Sequence, residues 1–442
     1  MNPQQTTQTN TSRIYPWFVV LTLSGAMAFS LVDRFALSLL FEPIKADLGL
    51  SDTQLGLLHG VAFGLFYATM GIPIAWLIDR WSRKWVIFWG IATWSVMTAL
   101  CGLCRSFPQL LGARVGVGVG EASLAPAGYS IITDIVANRY RATAISIFQM
   151  GSLMGGGLAF LAGGEILGLA ESADLRDWPI LEAMAPWQIT FILVALPGVL
   201  FLGLVLLIKE PTRLAPSISE ATTSGRTPPA SKLGQELRTR WAMYGSLFIG
   251  NGCLIAINYG NMTWLPSILV RQYHWTLTDI GLRFGLVMLT VAPAGVLLGG
   301  ILADRWNNRG ISSAYPRVLL LAATCATTLV FVSLLANSAI TLFAAIGAIQ
   351  FATSMAVGAG PAAVVNIAPH LIRARISAVY VFMINIIGLG IGPIAVGLLS
   401  DHWFAGNDSV LLSLQLFSVV MGLLAIGSLL NLTRTQARAI SP

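Results

Sequence analysis

The chain has 442 residues, of which 55% are hydrophobic and 10% charged, with a mean hydropathy of +0.75. A soluble domain carries roughly 25% charged residues, so this composition excludes a soluble globular protein and points to an integral membrane protein. The net charge of +7, from 26 basic and 19 acidic residues, has no soluble domain on which to form a basic stripe, which argues against a nucleic-acid partner.

The N-terminal MNPQQTTQTNTSR is polar and lacks the pattern of a cleavable signal. The first apolar run is too long for a signal core and reads as a retained helix. At about 20 apolar residues per crossing, the pattern predicts twelve spans. In the first half they cover residues 16–41, 53–78, 84–104, 107–134, 140–166 and 187–208. In the second half they cover residues 240–270, 279–303, 315–335, 338–366, 373–400 and 408–432. The stretch 209–238 is rich in Ser, Thr and Pro and reads as a linker. The predicted organisation is a first bundle over 1–208, the linker over 209–238 and a second bundle over 239–442.

Loop charge orients the spans. The termini and even-numbered loops hold nineteen of the 26 Lys and Arg, and the odd-numbered loops hold four. Apart from cations within the first three residues of a span, counted with the loops, only Arg34, Arg114 and Arg283 lie inside spans. The asymmetry predicts cytoplasmic termini and a cytoplasmic linker in an inner (plasma) membrane. The halves also repeat. LSDTQLGL at 50–57 resembles TLTDIGL at 276–282, and Asp79-Arg80 is echoed by Asp304-Arg305 at the same separation. Ser51 followed by Gln54 reads as a capping box that opens span 2.

Span 4 contains GARVGVGVGEAS at 112–123. On a helix, Gly112, Gly116 and Gly120 form one seam, suited to close packing in lipid. Arg114 and Glu121, seven apart, share another face, and a charge facing lipid would cost several kcal/mol. They are therefore expected to face a cavity. Counted from the outer ends, Asp33 of span 1 and Arg114 of span 4 lie level, roughly 10–12 Å deep, with Glu121 roughly 10 Å deeper. Arg34 adjoins Asp33, turned by about 100°. A carboxylate buried without its cation takes a proton, whereas one paired with arginine stays ionised. Asp33 and Glu121 competing for Arg114 and Arg34 would thus form a proton switch. A static ion-pair lattice and a binding site for a substrate head are the other two readings of the same group.

At the cytoplasmic ends, Asp79, Arg80, Arg83 and Lys84, matched by Asp304 and Arg305, are placed to pair with one another and with helix termini. Asp134 and Arg141 flank a neighbouring turn. Span 5 carries GSLMGGGLAFLAGGE and span 11 GLGIGP, both suited to close packing and bending. Polar positions in the second half, Asn251, Asn258, Tyr259, Asn261, Gln350, Asn366 and Asn385, suit interhelix hydrogen bonds or substrate contact. His59 reads as packed or as a proton relay. Glu165 and Arg283 sit near outer ends, where Glu165 is solvated and Arg283 snorkels. The four cysteines lie in apolar stretches, and Cys101-Gly-Leu-Cys104 reads as small packing residues rather than a disulfide or metal pair. No HExxH-type site, GxSxG elbow or Walker A loop is present, so neither an enzyme nor an ATP-driven pump is expected.

Two six-span halves with a cytoplasmic linker resemble the major facilitator superfamily. IDRWSRKW at 78–85 is similar to its D-R-x-G-R-[RK] signature, with Ser82 in place of glycine, and GGILADRWNNR at 299–309 is a degenerate copy. A finer resemblance, to the Spinster-like branch, rests on VDRFALS at 32–38, on 47–80, and on ARVGVGVGEASLAPAGYSIITD at 113–134. The resemblance implies an all-α integral membrane fold, with twelve transmembrane helices in two pseudo-symmetric six-helix bundles (the major facilitator fold). It implies a monomeric secondary transporter surrounded by membrane lipids, with protons as coupling ion and no other cofactor or metal. The substrate it implies is amphiphilic, a lysophospholipid or sphingosine-type lipid; the alternative is a small organic anion or drug. It also implies that the Asp79–Lys84 loop and Asp304–Arg305 shut the inner side in the outward-open state. The span 5 glycines favour proton antiport.

Overall fold

The computed structural model describes residues 14–171, 183–211, 230–311, 313–369 and 372–440. The linker stretch 212–229 and the loop cations Arg13 and Arg176 lie outside the described residues. Within them the chain is all-helical, with no strand. Eleven helices are long and apolar enough to cross a membrane, and the remaining crossing, span 4, is made of two pieces.

Span 1 is Tyr15–Leu39, followed by a short helix Phe41–Leu48. Span 2 runs Asp52–Arg80 with a break at Gly60, span 3 is Arg83–Cys101, and span 4 is Phe107–Glu121 plus Leu124–Ile135. Span 5 is Asn138–Glu171 and span 6 is Pro186–Leu206. In the second half, span 7 is Trp241–Tyr273, span 8 Leu277–Asn308, span 9 Ala314–Ser333 and span 10 Ala339–Ile367. Span 11 is built from Arg373–Ile384, a π-helical stretch Asn385–Ile391 and Gly392–His402, and span 12 is Ser409–Ile440. A helix Ala230–Thr239 leads from the linker into span 7.

The break in span 4 has a local cause. Three glycines at 116, 118 and 120 weaken the helix. Pro126 cannot donate a backbone hydrogen bond to the carbonyl four residues back, which frees Ala122. Ser123 N–H instead bonds Gly120 O in a tightened turn. Glu121 therefore ends a helix, and its side chain is aimed by that ending. Span 2 opens as the sequence predicts: Ser51 and Gln54 form a reciprocal capping box.

Packing on span 4 revises the single glycine seam. Gly120 faces Trp94 and Gly90 of span 3, Gly116 faces Met97 of span 3, and Gly118 faces Phe63 of span 2. Gly112 meets nothing within 4 Å. Only the inner two glycines of the seam serve helix contact, whereas Gly118 packs on the charged side, against the Phe63 that also meets Arg34.

The two halves meet toward the end of the molecule away from the described termini, here the distal end. Span 2 crosses span 11 where Gly56 meets Pro393 and Gly60 meets Gly390, and span 5 crosses span 8 at Gly164 and Gly281. Span 1 meets span 7 through Phe35 on Tyr259, with ring centroids 6.0 Å apart, and Phe41 packs on Trp264 at 5.1 Å. Glycine on both sides of a crossing lets backbones touch, which is how these helices gain dispersion contacts inside a bilayer.

A valine side chain at Gly120 would place its Cβ 2.7 Å from Trp94 N and 2.8 Å from Gly90 O, both backbone atoms unable to move aside. Gly120→Val is expected to cost about 1–3 kcal/mol through overpacking and to lower the melting temperature of detergent-solubilised protein by several degrees. Gly112→Val is expected to melt like the parent. Equal melting of the two variants would contradict the assigned packing.

Candidate functional site

The four charged residues singled out in spans 1 and 4 come together in one buried cluster. Asp33 and Arg114 are fully buried, and Arg34 and Glu121 nearly so. Arg34 Nη2 donates to Glu121 Oε2 at 2.7 Å, and Ser30 Oγ donates to the same oxygen at 2.8 Å. Arg114 Nη1 stands 3.8 Å from Asp33 Oδ1, and Arg114 Nη2 reaches the Arg34 carbonyl at 3.4 Å. Thr98 of span 3 donates its hydroxyl to Asp33 Oδ2. The Arg34 guanidinium lies over the ring of Phe63 at 4.1 Å and of Tyr67 at 5.2 Å, both in span 2, and Tyr259 of span 7 is beside it.

Of the pairings the sequence left open, the structure shows one for each acid. Glu121 is held by Arg34, not Arg114, because its helix ends there and Arg34 reaches toward the terminal end from span 1. Asp33 and Arg114 are level, as expected, but separated beyond hydrogen-bond reach. Thr98, Ser30, Phe63 and Tyr67 were not among the predicted site residues. Thr98 and Ser30 carry hydroxyls that any membrane helix can hide by bonding its own carbonyls, so sequence gives no sign of their role.

Two opposite charges on each side balance if both acids are ionised. Even so, Arg34 Nε, Arg114 Nε and Nη1, Asp33 Oδ1 and Glu121 Oε1 have no hydrogen-bond partner among the described residues. Buried polar atoms are nearly always satisfied. Such unfilled capacity, concentrated at two guanidinium groups and two carboxylates, marks a place where protons, water or a ligand head can bind.

Other predicted positions fall differently. His59 is fully buried between Phe35 and Phe41, with ring centroids at 5.6 and 6.2 Å, and neither ring nitrogen has a hydrogen-bond partner among the described residues. Asn258 donates to Thr353 at 3.0 Å, Asn261 to Ile257 O at 2.8 Å and Asn385 to Val381 O at 2.9 Å. Asn251 is bonded to Tyr380. These amides are engaged in helix packing. Tyr259 is half-buried, Gln350 is buried with Oε1 unpartnered, and Asn366 is exposed. Glu165 is exposed, and Arg283 lies over Trp275 at 4.7 Å. Cys101 is buried beside Arg114, so it touches the cluster as well as packing.

At the terminal end, Arg83 is nearly fully buried and gathers Asp134, Ser130 Oγ at 2.9 Å, Glu210 at 2.9 Å and Pro211 O at 2.8 Å. Lys84 Nζ donates to Leu206 O at 2.8 Å, and Arg141 to Thr133 O at 2.7 Å. Arg80 lies over Trp76 at 4.0 Å, and Tyr315 donates to Asp304 at 3.3 Å. These contacts stay within one half. Asp79 and Arg305 are exposed. The loop thus ties the end of span 6 to the start of span 3.

The strongest join between halves is at the distal end and was not foreseen. Arg271 of span 7 donates to both oxygens of Asp52, at 2.9 and 2.7 Å, and to Glu42 at 2.9 and 3.0 Å. Lys45 and Ser400 also donate to Asp52. Asp401 of span 11 accepts the Asp52 and Thr53 N–H groups at 3.1 and 2.7 Å, a carboxylate at a helix N-terminus. In sequence these residues look like ordinary loop and helix-end charges. Their meeting depends on how the halves are docked.

The profile of the Major Facilitator Superfamily matches residues 23–393, and the chain belongs to that superfamily. It is a multi-pass membrane transporter, and its relatives are transporters rather than enzymes. It is 29% identical to an MFS-type efflux pump of Mycolicibacterium smegmatis over 93% of this chain and 90% of that protein. It is 26% identical to protein spinster of Drosophila melanogaster, over 65% of this chain and 46% of that one. It is 28% identical to a probable L-galactonate transporter of Escherichia coli, over 66% of this chain and 62% of that one. The crystal structure of a bacterial homologue of the human lysosomal transporter Spinster, inward-facing and unoccupied, superposes with a TM-score of 0.83 at 27% identity. That superposition covers 98% of this chain and all of the other.

Two outcomes follow from these contacts. Charge-assisted hydrogen bonds are worth about 1.5–3 kcal/mol each. Thr263 is fully buried in span 7, about two turns from Arg271 toward the terminal end. Arg271→Gln is therefore expected to raise, about tenfold, the rate at which a membrane-impermeant thiol reagent labels Thr263→Cys from the distal side. Unchanged labelling would remove the latch. At the terminal end, burial works against ionisation of Glu210, but hydrogen bonds from Ser82, the Lys84 N–H and Arg83 outweigh it and hold the carboxyl below its ordinary value of 4.5. A depressed folded-state value stabilises above the unfolded value and ceases to do so as pH falls through the folded one. Glu210→Gln should melt lower than the parent at neutral pH, with the gap closing as pH is taken below 4.5. A gap that persists in acid would show the carboxylate charge to be irrelevant.

Proposed function

We propose that this protein is a proton-coupled secondary transporter that moves a lipid-like amphiphile, a lysophospholipid or sphingosine-type lipid, by alternating access. It sits in the inner (plasma) membrane with both termini and the linker in the cytoplasm, which the bias of nineteen to four in loop cations supports. The observation that carries the reading is the buried cluster of Asp33, Arg34, Arg114 and Glu121 with its unfilled hydrogen-bond capacity.

The chemistry follows from charge balance. With both acids ionised, the two arginines are neutralised. A proton on either acid leaves one guanidinium uncompensated, and arginine does not lose its own charge. That guanidinium can take a phosphate or carboxylate head in bidentate fashion. Proton and anionic head therefore favour each other at the cluster. For an anionic head this linkage binds both together, whereas an amine head would compete with the proton, the exchange that the span 5 glycines favour. Aromatic faces at Phe63, Tyr67 and Tyr259 give the apolar part of the substrate a surface, and an amine head would instead meet Asp33 or Glu121.

Alternating access then rests on two sets of contacts. The Arg271–Asp52 latch keeps the distal, outer side shut, and the cluster faces the cytoplasmic side. The likeness to an inward-facing Spinster homologue supports this assignment. In the opposite state the latch opens, and the loops bearing Asp79, Arg80, Asp304 and Arg305 close the cytoplasmic side.

A second reading draws on a specific observation. The relatives include a probable L-galactonate transporter and a probable galactarate/D-glucarate transporter, and free guanidinium donors suit a sugar-acid carboxylate equally well. Purified protein in liposomes, offered lysophospholipids and sugar acids with and without a pH gradient, separates the two. The expected result is lysophospholipid transport that responds to the gradient. Arg114→Ala should reduce it by about ten- to hundredfold, and replacing Asp33 and Glu121 together by their amides should abolish the pH response. Transport of sugar acids alone would establish the second reading. Wild-type behaviour of both variants would sink the site.

A further inference from the structure

The cluster has one contributor from a helix that carries none of its charges. Thr98 of span 3 is fully buried, and its hydroxyl donates to Asp33 Oδ2. The other oxygen of Asp33 has no hydrogen-bond partner among the described residues, and Arg114 Nη1 is 3.8 Å away. Glu121, by contrast, is held by a guanidinium at 2.7 Å. In this state the closest contact of one acid is a cation, and that of the other is a hydroxyl.

The groups that face Asp33 come from several elements. Arg34 is on its own span, Arg114 and Glu121 are on span 4, and Cys101 is on span 3, one turn from Thr98. His59 of span 2 lies near the same two arginines. Of these neighbours, the described contacts show only Thr98 hydrogen-bonded to the Asp33 carboxylate. Span 3 is pressed against span 4 where Gly90 meets Gly120 and Ser123, so Thr98 is fixed in the first bundle.

We propose that Thr98 is a positioning residue that sets how readily Asp33 takes its proton. As a donor, the hydroxyl stabilises the carboxylate. Once a proton from water sits on Asp33, the hydroxyl turns and accepts from the acid, since it carries one donor and two acceptor sites. Where the acids and arginines exchange partners in the proposed switch, the Thr98 hydroxyl stays as a neutral donor on Asp33 and supplies a constant bias. This role rests on the reading of the cluster as the proton-coupling site.

The test uses the purified full-length protein and the infrared carbonyl band of a protonated carboxylic acid, identified by its loss in Asp33→Asn and followed against pH. Thr98→Val keeps the shape and removes the hydroxyl, and Thr98→Ser keeps the hydroxyl. Loss of one hydrogen bond to a charged group predicts that the band appears about one pH unit higher in Thr98→Val. It should return to its parental position in Thr98→Ser, and Thr98→Ala should match Thr98→Val. In liposomes the pH profile of transport should move with the band. A band at the parental position in both Thr98→Val and Thr98→Ala would overturn the proposal, as would a Thr98→Ser protein that behaves like Thr98→Val. If wild-type transport ignores pH while the band still moves in Thr98→Val, the coupling reading falls and the role of Thr98 stands.

Discussion

Two acids and two arginines are buried together, and their charges balance when both acids are ionised. A single unpaired charge there would cost several kcal/mol. Asp33, Arg34, Arg114 and Glu121 solve this as a group. The solution is loose: one short ion pair, one long one, and five polar atoms without partners among the described residues. A tightly satisfied lattice would be a structural brace. A neutral but under-satisfied one can exchange protons and partners at low cost, which is what a coupling site requires.

The surrounding helices make this possible by being broken or glycine-rich at the right heights. Span 4 ends its first piece at Glu121 because Pro126 removes a backbone donor and Gly120 yields. Span 11 adopts a π-helical stretch at Asn385–Ile391, beside the glycines that meet span 2. π-helical turns cluster at functional positions because they leave backbone groups and side chains in unusual registers. The distal contacts between halves are glycine crossings sealed by a charged latch, so they are close-packed yet separable. Apolar crossings alone would have no such ionic component to release.

Much of this was legible in sequence, and the reasons differ by feature. The twelve crossings follow from apolar length, and the duplicated halves from repeated short strings. The four charged residues stood out because charge is costly in lipid. Their pairing was not legible. Helix rise fixes the depth of a Cα, but arginine reaches several ångströms along the axis, so Arg34 rather than Arg114 takes Glu121. The break after Glu121 needed Pro126 and Gly120 read together, and the glycine seam of 112, 116 and 120 was too regular: Gly112 packs on nothing. Thr98 and Ser30 are ordinary residues for a membrane helix until a carboxylate is seen beside them. Arg271 lies 219 residues from Asp52 in the chain, and only the docking of the halves makes them a latch.

The central claim is that proton and anionic head are linked at one buried, charge-balanced site. Calorimetry of lysophospholipid binding to the purified protein, repeated in buffers that differ in ionisation heat, tests it most directly. The account predicts a heat that varies with the buffer in the sense of proton uptake, and a variation that disappears when Asp33 and Glu121 are both replaced by their amides. Binding with the same heat in every buffer would contradict it.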